Sequence, residues 1–207
     1  MTTASTQRLQ RTSRAYLLLI CLTVLSHPSQ WAQSASLGLT LAGLLCVAIA
    51  CLGRIWCSVF IAGRKDQQLV TQGPYALVRH PLYSLSMVAA LGIGLATLSG
   101  LLTIALLAGL AWLLRDAALS EERRLSAVFQ ESYQGYRAIT PRFWPRLGAW
   151  LGHTTSVKHL PTSLTIHPPI LWKAFVDASA FFLLFICIVG ARQISLLWTA
   201  PALLHLP

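Results

Sequence analysis

The acids of this chain are few and lie close together. Six Asp and Glu occur in 207 residues, three of them between residues 121 and 131, with Glu121 and Glu122 adjacent. Upstream stand Tyr75, Arg79, His80, Pro81, Leu82 and Tyr83; downstream come Arg123, Arg124, Phe129, Tyr133, Tyr136 and Arg142. Neighbouring carboxylates repel each other, and beside an apolar boundary they need cationic partners. A cationic ligand could be that partner, with the imidazole and phenols orienting it by hydrogen bonds and ring packing. Ordinary packing offers a second account of the same residues. Arg79, His80 and Arg115 can be interface anchors, and Glu121 and Glu122 can pair with Arg124 and Arg115 as helical neighbours. Pro81 suits the first residue of a helix, and tyrosines suit a membrane interface without further purpose.

The elements that must position these residues are apolar. Hydrophobic residues make up 55% of the chain and charged ones 11%, against about 25% charged in soluble domains. Mean hydropathy is +0.61. A soluble enzyme and a disordered chain are both excluded, and the composition predicts an all-α integral membrane protein. The formal charge of +10 would suggest nucleic acid in a soluble protein. Here it reads as basic anchors facing anionic lipid, with no nucleic-acid partner.

The apolar runs predict about five transmembrane helices. The first, 15–26, is twelve residues long and too short to cross about 30 Å of hydrocarbon at about 1.5 Å per residue. It either continues past Pro28 towards residue 36 or is a signal sequence; we read it as a retained helix. The second runs from 37 to about 61, with Arg54 reaching the interface along its own stem. A polar connector, 63–81, leads to two runs, 82–98 and 101–118, joined only by Ser99-Gly100. So short a joint makes an antiparallel hairpin, in which Gly92, Gly94 and Gly109 let the backbones approach. A polar amphipathic segment at 120–146, a Pro/His/Thr linker through 169 and a last helix at about 175–190 follow. Whether 194–206 crosses back is left open. The units are therefore 1–62, N-terminal membrane helices; 63–146, a core of connector, hairpin and amphipathic segment; and 147–207, linker and C-terminal helix.

Lys and Arg number three in the N-terminal tail, three in the connector and six between 115 and 146, while the loops at 27–36 and 99–100 carry none. The positive-inside rule puts the connector and the 120–146 segment on the cytoplasmic side, at one end of the hairpin. The five cysteines lie in apolar runs and lack metal-ligand spacing, so no metal site and no disulfide framework is expected. Asp177 pairs with Lys173 four residues before it. Gly92-Ile93-Gly94 is no dinucleotide fingerprint: Thr97 holds the third glycine position and no strand precedes it. Helix packing is its simplest use.

The string GPYALVRHPLY at 73–83, a helix hairpin, then EERRL at 121–125 with Phe129, Tyr133 and Tyr136, and TPRFWP at 140–145 resemble the isoprenylcysteine carboxyl methyltransferase family. The phospholipid N-methyltransferases look like its relatives. The likeness covers about residues 64–146. It implies an integral-membrane methyltransferase using S-adenosyl-L-methionine, with the cofactor in a cytoplasmic pocket. By that likeness Gln67, Gln68, Leu69 and Val70 would lie along the adenosine. Tyr75, His80, Pro81, Leu82 and Tyr83 would contact the cofactor, and Glu121 and Glu122 would hold its cationic side. Gly94 corresponds to a Gly-x-Gly that marks the cofactor in the phospholipid enzymes. The acceptor would be lipid-like or lipidated, entering from the bilayer, with Arg115 or Arg124 as candidates to orient it. In the prenylcysteine enzymes an arginine stands one turn before the first Glu; here that residue is Ala117. The likeness implies the inner or plasma membrane of a bacterium, or the endoplasmic reticulum of a eukaryote.

The chemistry agrees with that expectation. A sulfonium and an ammonium are stabilised by carboxylates at a partly dry boundary. Methyl transfer from an activated donor is an in-line displacement, so positioning supplies most of the catalysis and no metal is required. Two other classes make different demands. A sterol-type membrane reductase binding NADPH needs a basic site for phosphates, and a scaffold or transporter half needs charges within its helices rather than a His80–Glu121 constellation.

Overall fold

The computed structural model describes residues 26–27, 35–63, 68–145, 168–197 and 204–205. In chain order these form β1 (Ser26–His27), α1 (Ser36–Ile61), α2 (Pro74–Leu77), α3 (Pro81–Thr97), α4 (Gly100–Ile139), α5 (Pro168–Leu197) and β2 (Leu204–His205). β1 and β2 make a two-residue parallel pairing, and helices carry the rest of the described fold.

Among the described residues three helices are long and apolar enough to cross a membrane: α1, α4 and α5. α3 is apolar but has 17 residues, about 26 Å at about 1.5 Å per residue, slightly short of a full crossing. Among the described residues four apolar helices therefore stand where about five transmembrane helices were expected, and residues 15–25 of the first expected one lie outside the described residues. α5 begins seven residues before the expected 175 and continues past 190.

α3 is the centre of the bundle, touching α1, α4 and α5. Val47 and Cys51 from α1, Ile93 and Ala96 from α3, and Ala178, Leu184, Phe185 and Ile188 from α5 form one core. Small residues bring these helices together. Gly92 crosses Gly43 so closely that a Cβ on either would lie 2.5–2.6 Å from the other's carbonyl oxygen. Gly94 instead faces Thr103 of α4, and Gly109 faces open space. The three glycines expected to serve the hairpin thus divide: one packs α3 on α1, one packs the hairpin, and one packs nothing. Leu101, Ile104, Trp112 and Leu113 are exposed along α4, the arrangement of a helix facing lipid.

Two charges enter the bundle. Arg54 does not reach for the interface as its stem would allow. It turns inward, Nη1 donating to Ser86 Oγ at 2.8 Å and to Leu82 O at 3.3 Å, with its guanidinium 5.2 Å from the centre of the Phe181 ring. These groups offer donors and π density that lipid lacks. Arg192, which the apolar reading of the last helix passed over, is buried and donates to Thr40 Oγ1 at 2.9 Å and Ala96 O at 3.4 Å. Ala96 is in the last turn of α3, where helix carbonyls favour a cation.

α4 departs most from expectation. The polar segment after the hairpin is not a separate element: the same helix runs on past its apolar half, residues 100–118, as far as Ile139. It breaks at Gln130, whose φ of +41° and ψ of −116° are not helical. Beyond the break Tyr133 and Tyr136 are buried, and Tyr136 Oη donates to Tyr75 O at 2.6 Å. This bond ties the end of α4 to the connector at one end of the bundle.

Candidate functional site

The connector is anchored first. Gly73 takes a φ of +59°, with Phe60 of α1 so near that a Cβ would fall 2.5 Å from its ring. Pro74 then starts α2 at the position where a missing N–H costs nothing. Cys57, Phe60 and Tyr75 form a second apolar cluster, with Val70, Leu82 and Leu85 packed on it. Residues 78–80 leave α2 extended, and their backbone pairs with the chain that follows α4. Arg79 N donates to Pro141 O at 2.8 Å, and His80 N donates to Arg142 O at 3.1 Å. Ser84 Oγ donates to Phe143 O at 2.6 Å, and the Phe143 ring packs on His80 with centres 5.8 Å apart. The TPRFWP stretch is thus a strap laid across the start of α3.

That strap delivers Arg142 to Glu122. Arg142 Nε donates to Oε1 at 2.9 Å and Nη2 donates to Oε2 at 2.7 Å, a two-bonded fork. Arg79 Nη1 lies 3.0 Å from Oε1 on the other side, as an ion pair out of line for a hydrogen bond. His80 Nε2 is 3.2 Å from Oε1. Glu122 is 6% exposed, and a buried charge persists only when matched in this way. Burial pushes its carboxyl up, but Arg142, Arg79 and His80 outweigh it and hold the group below the ordinary glutamate range.

Glu121 has a different setting. Its side chain is 32% exposed. Oε2 accepts from Tyr83 Oη at 3.1 Å and lies 3.5 Å from His80 Nδ1. His80 therefore stands between the two glutamates, with a carboxylate oxygen off each ring nitrogen. The His80 contact, together with Tyr83, keeps Glu121 below the usual range although burial opposes it, so it is an anion at neutral pH. The adjacent acids do not repeat each other: one is locked, the other available.

Glu121 lines a cavity of about 490 Å³, counting its open mouth. Gln68, Leu69 and Val70 of the connector and Tyr75 of α2 form one wall; Arg124, Leu125 and Phe129 of α4 form another. Ile61, Arg79 and Tyr136 complete it. The Tyr75 hydroxyl is buried and has no hydrogen-bond partner among the described residues. A carboxylate, an amide, an unpartnered hydroxyl, aromatic and aliphatic walls and the guanidinium of Arg124 fit a ligand with a cation, a carboxylate and an aromatic base. S-adenosyl-L-methionine is such a ligand.

Tyr83 has a second neighbour space. Tyr83, Ser84 and Met87 of α3, Ala111 and Leu114 of α4, and Phe143 with Trp144 of the strap line a cleft of about 400 Å³ that reaches into the apolar part of the hairpin. Tyr83 lines this cleft while its hydroxyl donates to Glu121, which lines the other cavity, so one hydrogen bond links the walls of the two spaces.

Of the residues expected at a cofactor, Gln68, Leu69, Val70, Tyr75 and Glu121 line one cavity, together with Arg124, the acceptor candidate. His80 stands behind Glu121. Pro81 opens α3, and Leu82 packs beneath Tyr75. Gly94 lies in the hairpin and does not line the cavity. Glu122 is spent on Arg79, Arg142 and His80. Arg115 is exposed and does not line the cavity. Gln67 lies outside the described residues. Pairing with helical neighbours was one of two accounts of the glutamates; the partners of Glu122 come instead from the connector and the strap. The sequence assigns Arg142 no partner. Its signal was the buried charge of Glu122, which no neighbour on its own helix could match.

The profile of the Isoprenylcysteine carboxyl methyltransferase (ICMT) family matches residues 35–127. The match takes in α1, which the motif reading left out, and ends before the strap. The nickel-cobalt-cadmium resistance protein NccN of Alcaligenes xylosoxydans xylosoxydans is 37% identical over 150 residues, covering 71% of this chain and 69% of its own. The cobalt-zinc-cadmium resistance protein CzcN of Cupriavidus metallidurans is 40% identical over 118 residues, covering 57% of this chain and 54% of its own. No solved structure matches significantly.

Proposed function

Because the chain belongs to the isoprenylcysteine carboxyl methyltransferase family, we propose that it transfers a methyl group from S-adenosyl-L-methionine to a lipid-like or lipidated acceptor in the membrane. The observation that carries this reading is the separation of the two acids. Glu122 and its partners build the floor, and Glu121 presents a carboxylate to a half-apolar cavity where a cation is favoured.

The cofactor, when bound, supplies a methyl group already activated on sulfur. The chain supplies position. Glu121 faces the cationic side, and Tyr75, Gln68, Leu69 and Val70 provide the wall for the nucleoside. Arg124 stands one turn from Glu121 and suits the carboxylate of the same ligand. The acceptor reaches the Tyr83–Glu121 wall through the cleft between α3 and α4. The basic connector and strap side is the cytoplasmic one by the positive-inside rule. An NADPH reductase would ask these walls to collect phosphates, yet Arg79 is already paired with Glu122 and Glu121 would repel them.

Calorimetry on the purified protein in detergent tests the reading. Wild type binds S-adenosyl-L-methionine, and Glu121→Gln weakens binding at least ten-fold. Absence of binding by wild type across several lipid mixtures refutes it. Labelled methyl, followed into a membrane extract, then identifies the acceptor: headgroup label means N-methylation and base-labile label means an ester. The relatives' names suggest a role in metal resistance. Nickel, cobalt and cadmium tolerance of a sensitive host expressing wild type or Glu121→Gln tests that role and its dependence on the chemistry.

A further inference from the structure

We propose that the acceptor is an uncharged amphiphile carrying a hydroxyl or thiol, and that Tyr83 and Glu121 take the proton this group releases. The inference rests on the methyltransferase reading and goes further by naming the acceptor class. Its ground is the cleft beyond Tyr83. Among the described residues that line it, none is charged. Ser84 has its hydroxyl turned to the Phe143 carbonyl, and Trp144 offers an indole N–H that donates but cannot accept, which leaves Tyr83 Oη, already bonded to Glu121, as the group able to take a proton. A carboxylate or ammonium seated against Met87, Ala111 and Leu114 would lose its hydration with no counter-charge from the cleft's lining. A neutral O–H or S–H group on an apolar body loses little, and Tyr83 Oη can accept its hydrogen bond.

The same arrangement provides a path for the proton. Tyr83 already donates to Glu121 Oε2 at 3.1 Å. As the acceptor's heteroatom bonds to the methyl carbon, the carbon–sulfur bond breaks and its electron pair stays on sulfur. The acceptor's proton passes to Tyr83 Oη while the phenolic proton moves to Glu121. The methyl–sulfur bond is exchanged for a methyl–heteroatom bond, each proton moved breaks one X–H or O–H bond and forms one O–H bond, the sulfonium charge disappears and the carboxylate ends protonated, so charge balances. A carboxylate acceptor has no proton to lose and would gain nothing from this relay.

The test uses the full chain in lipid nanodiscs with labelled S-adenosyl-L-methionine and three probes: 4-nonylphenol, dodecanethiol and dodecanoate. Label is expected in the phenol or the thiol as a base-stable product, and not in dodecanoate. Tyr83→Phe keeps the ring and should hold cofactor affinity within about three-fold by calorimetry. It should lower the turnover of the phenol or thiol about 100-fold or more, the scale of a lost proton-transfer group. Leu114→Trp fills the cleft and should raise the acceptor KM while cofactor affinity stays. A methyl ester of dodecanoate as the main product overturns the proposal, as does full turnover by Tyr83→Phe. Failure of wild type to bind the cofactor would instead bring down the methyltransferase reading, and this proposal with it.

Discussion

Arg142 grips Glu122 with two parallel bonds, at 2.9 and 2.7 Å, from a strap 20 positions further along the chain. With Arg79 and His80 on its other side, this carboxylate is the joint between connector, α4 and strap. The fork explains why a buried acid is tolerated at the end of an apolar hairpin.

Removing Glu122 should therefore unfold the joint rather than only impair catalysis. Glu122→Ala leaves the guanidiniums of Arg79 and Arg142 facing each other without an anion, and is expected to cost about 3–5 kcal/mol. Arg142→Ala costs less, because that side chain is about one-third exposed and its loss leaves Arg79 in place. Arg142→Lys recovers only part, since an ammonium cannot make the fork. Unfolding in detergent followed by circular dichroism measures all three. Glu121→Gln should cost less than Glu122→Ala, because the Glu121 side chain is 32% exposed and that of Glu122 is 7%.

The same pair sets an acid limit. Glu121 and Glu122 both have folded carboxyl pKa values held below the ordinary one, so the folded state binds fewer protons than the unfolded state. Their contribution to stability is fully present above the unfolded value of about 4.3 and is lost as pH falls through the lower folded values. Thermal midpoints measured from pH 7 down to pH 3 should show little change from these groups above about pH 5 and a decline below it. Glu122→Gln, measured alongside, should flatten that decline.

Tyr136 gives a separate test of the connector. Its hydroxyl donates to the buried Tyr75 carbonyl at 2.6 Å. Tyr136→Phe keeps the ring but leaves that carbonyl unpaired, at a cost of about 1–3 kcal/mol. Tyr75 and Tyr136 both line the cavity, so cofactor affinity should fall as well. The stability change comes from the same unfolding measurement, and the affinity change from calorimetry.

Much of this was legible in the residues, and the reasons differ by element. The hairpin could be read because Ser99-Gly100 leaves no room for any other joint, and α1 because its apolar run is long enough to span. The cavity could be read in part because Tyr75 and Glu121 belong to motifs whose order survives in the chain, and the same likeness brought in Gln68. The partners of Glu122 could not: Arg142 reaches it through backbone pairing of residues 79–80 with 141–142, a tertiary fact that helical periodicity does not encode. Arg54 escaped for a similar reason. Its length permits a route to the interface or into the bundle, and only the position of Ser86 and Phe181 decides. The break at Gln130 carries no proline or glycine to announce it.

The crossing of α1 and α3 gives the sharpest packing prediction. Gly43 and Gly92 face each other, and a methyl group on either would sit 2.5–2.6 Å from backbone oxygen of the other helix. Backbone cannot swing aside as a side-chain tip can, so the helices must separate and the core around Val47, Ile93 and Phe185 must open. Gly92→Ala and Gly43→Ala should each cost about 1–3 kcal/mol as overpacking. The double variant should cost less than the sum, since one separation relieves both clashes. Gly109 is the control: nothing lies within 4 Å of its added Cβ, and alanine there removes a glycine penalty of about 1 kcal/mol in a helix interior. Gly109→Ala should therefore be neutral or stabilising in the same detergent unfolding series. Equal losses at all three positions would mean that α1 and α3 do not cross at these two glycines.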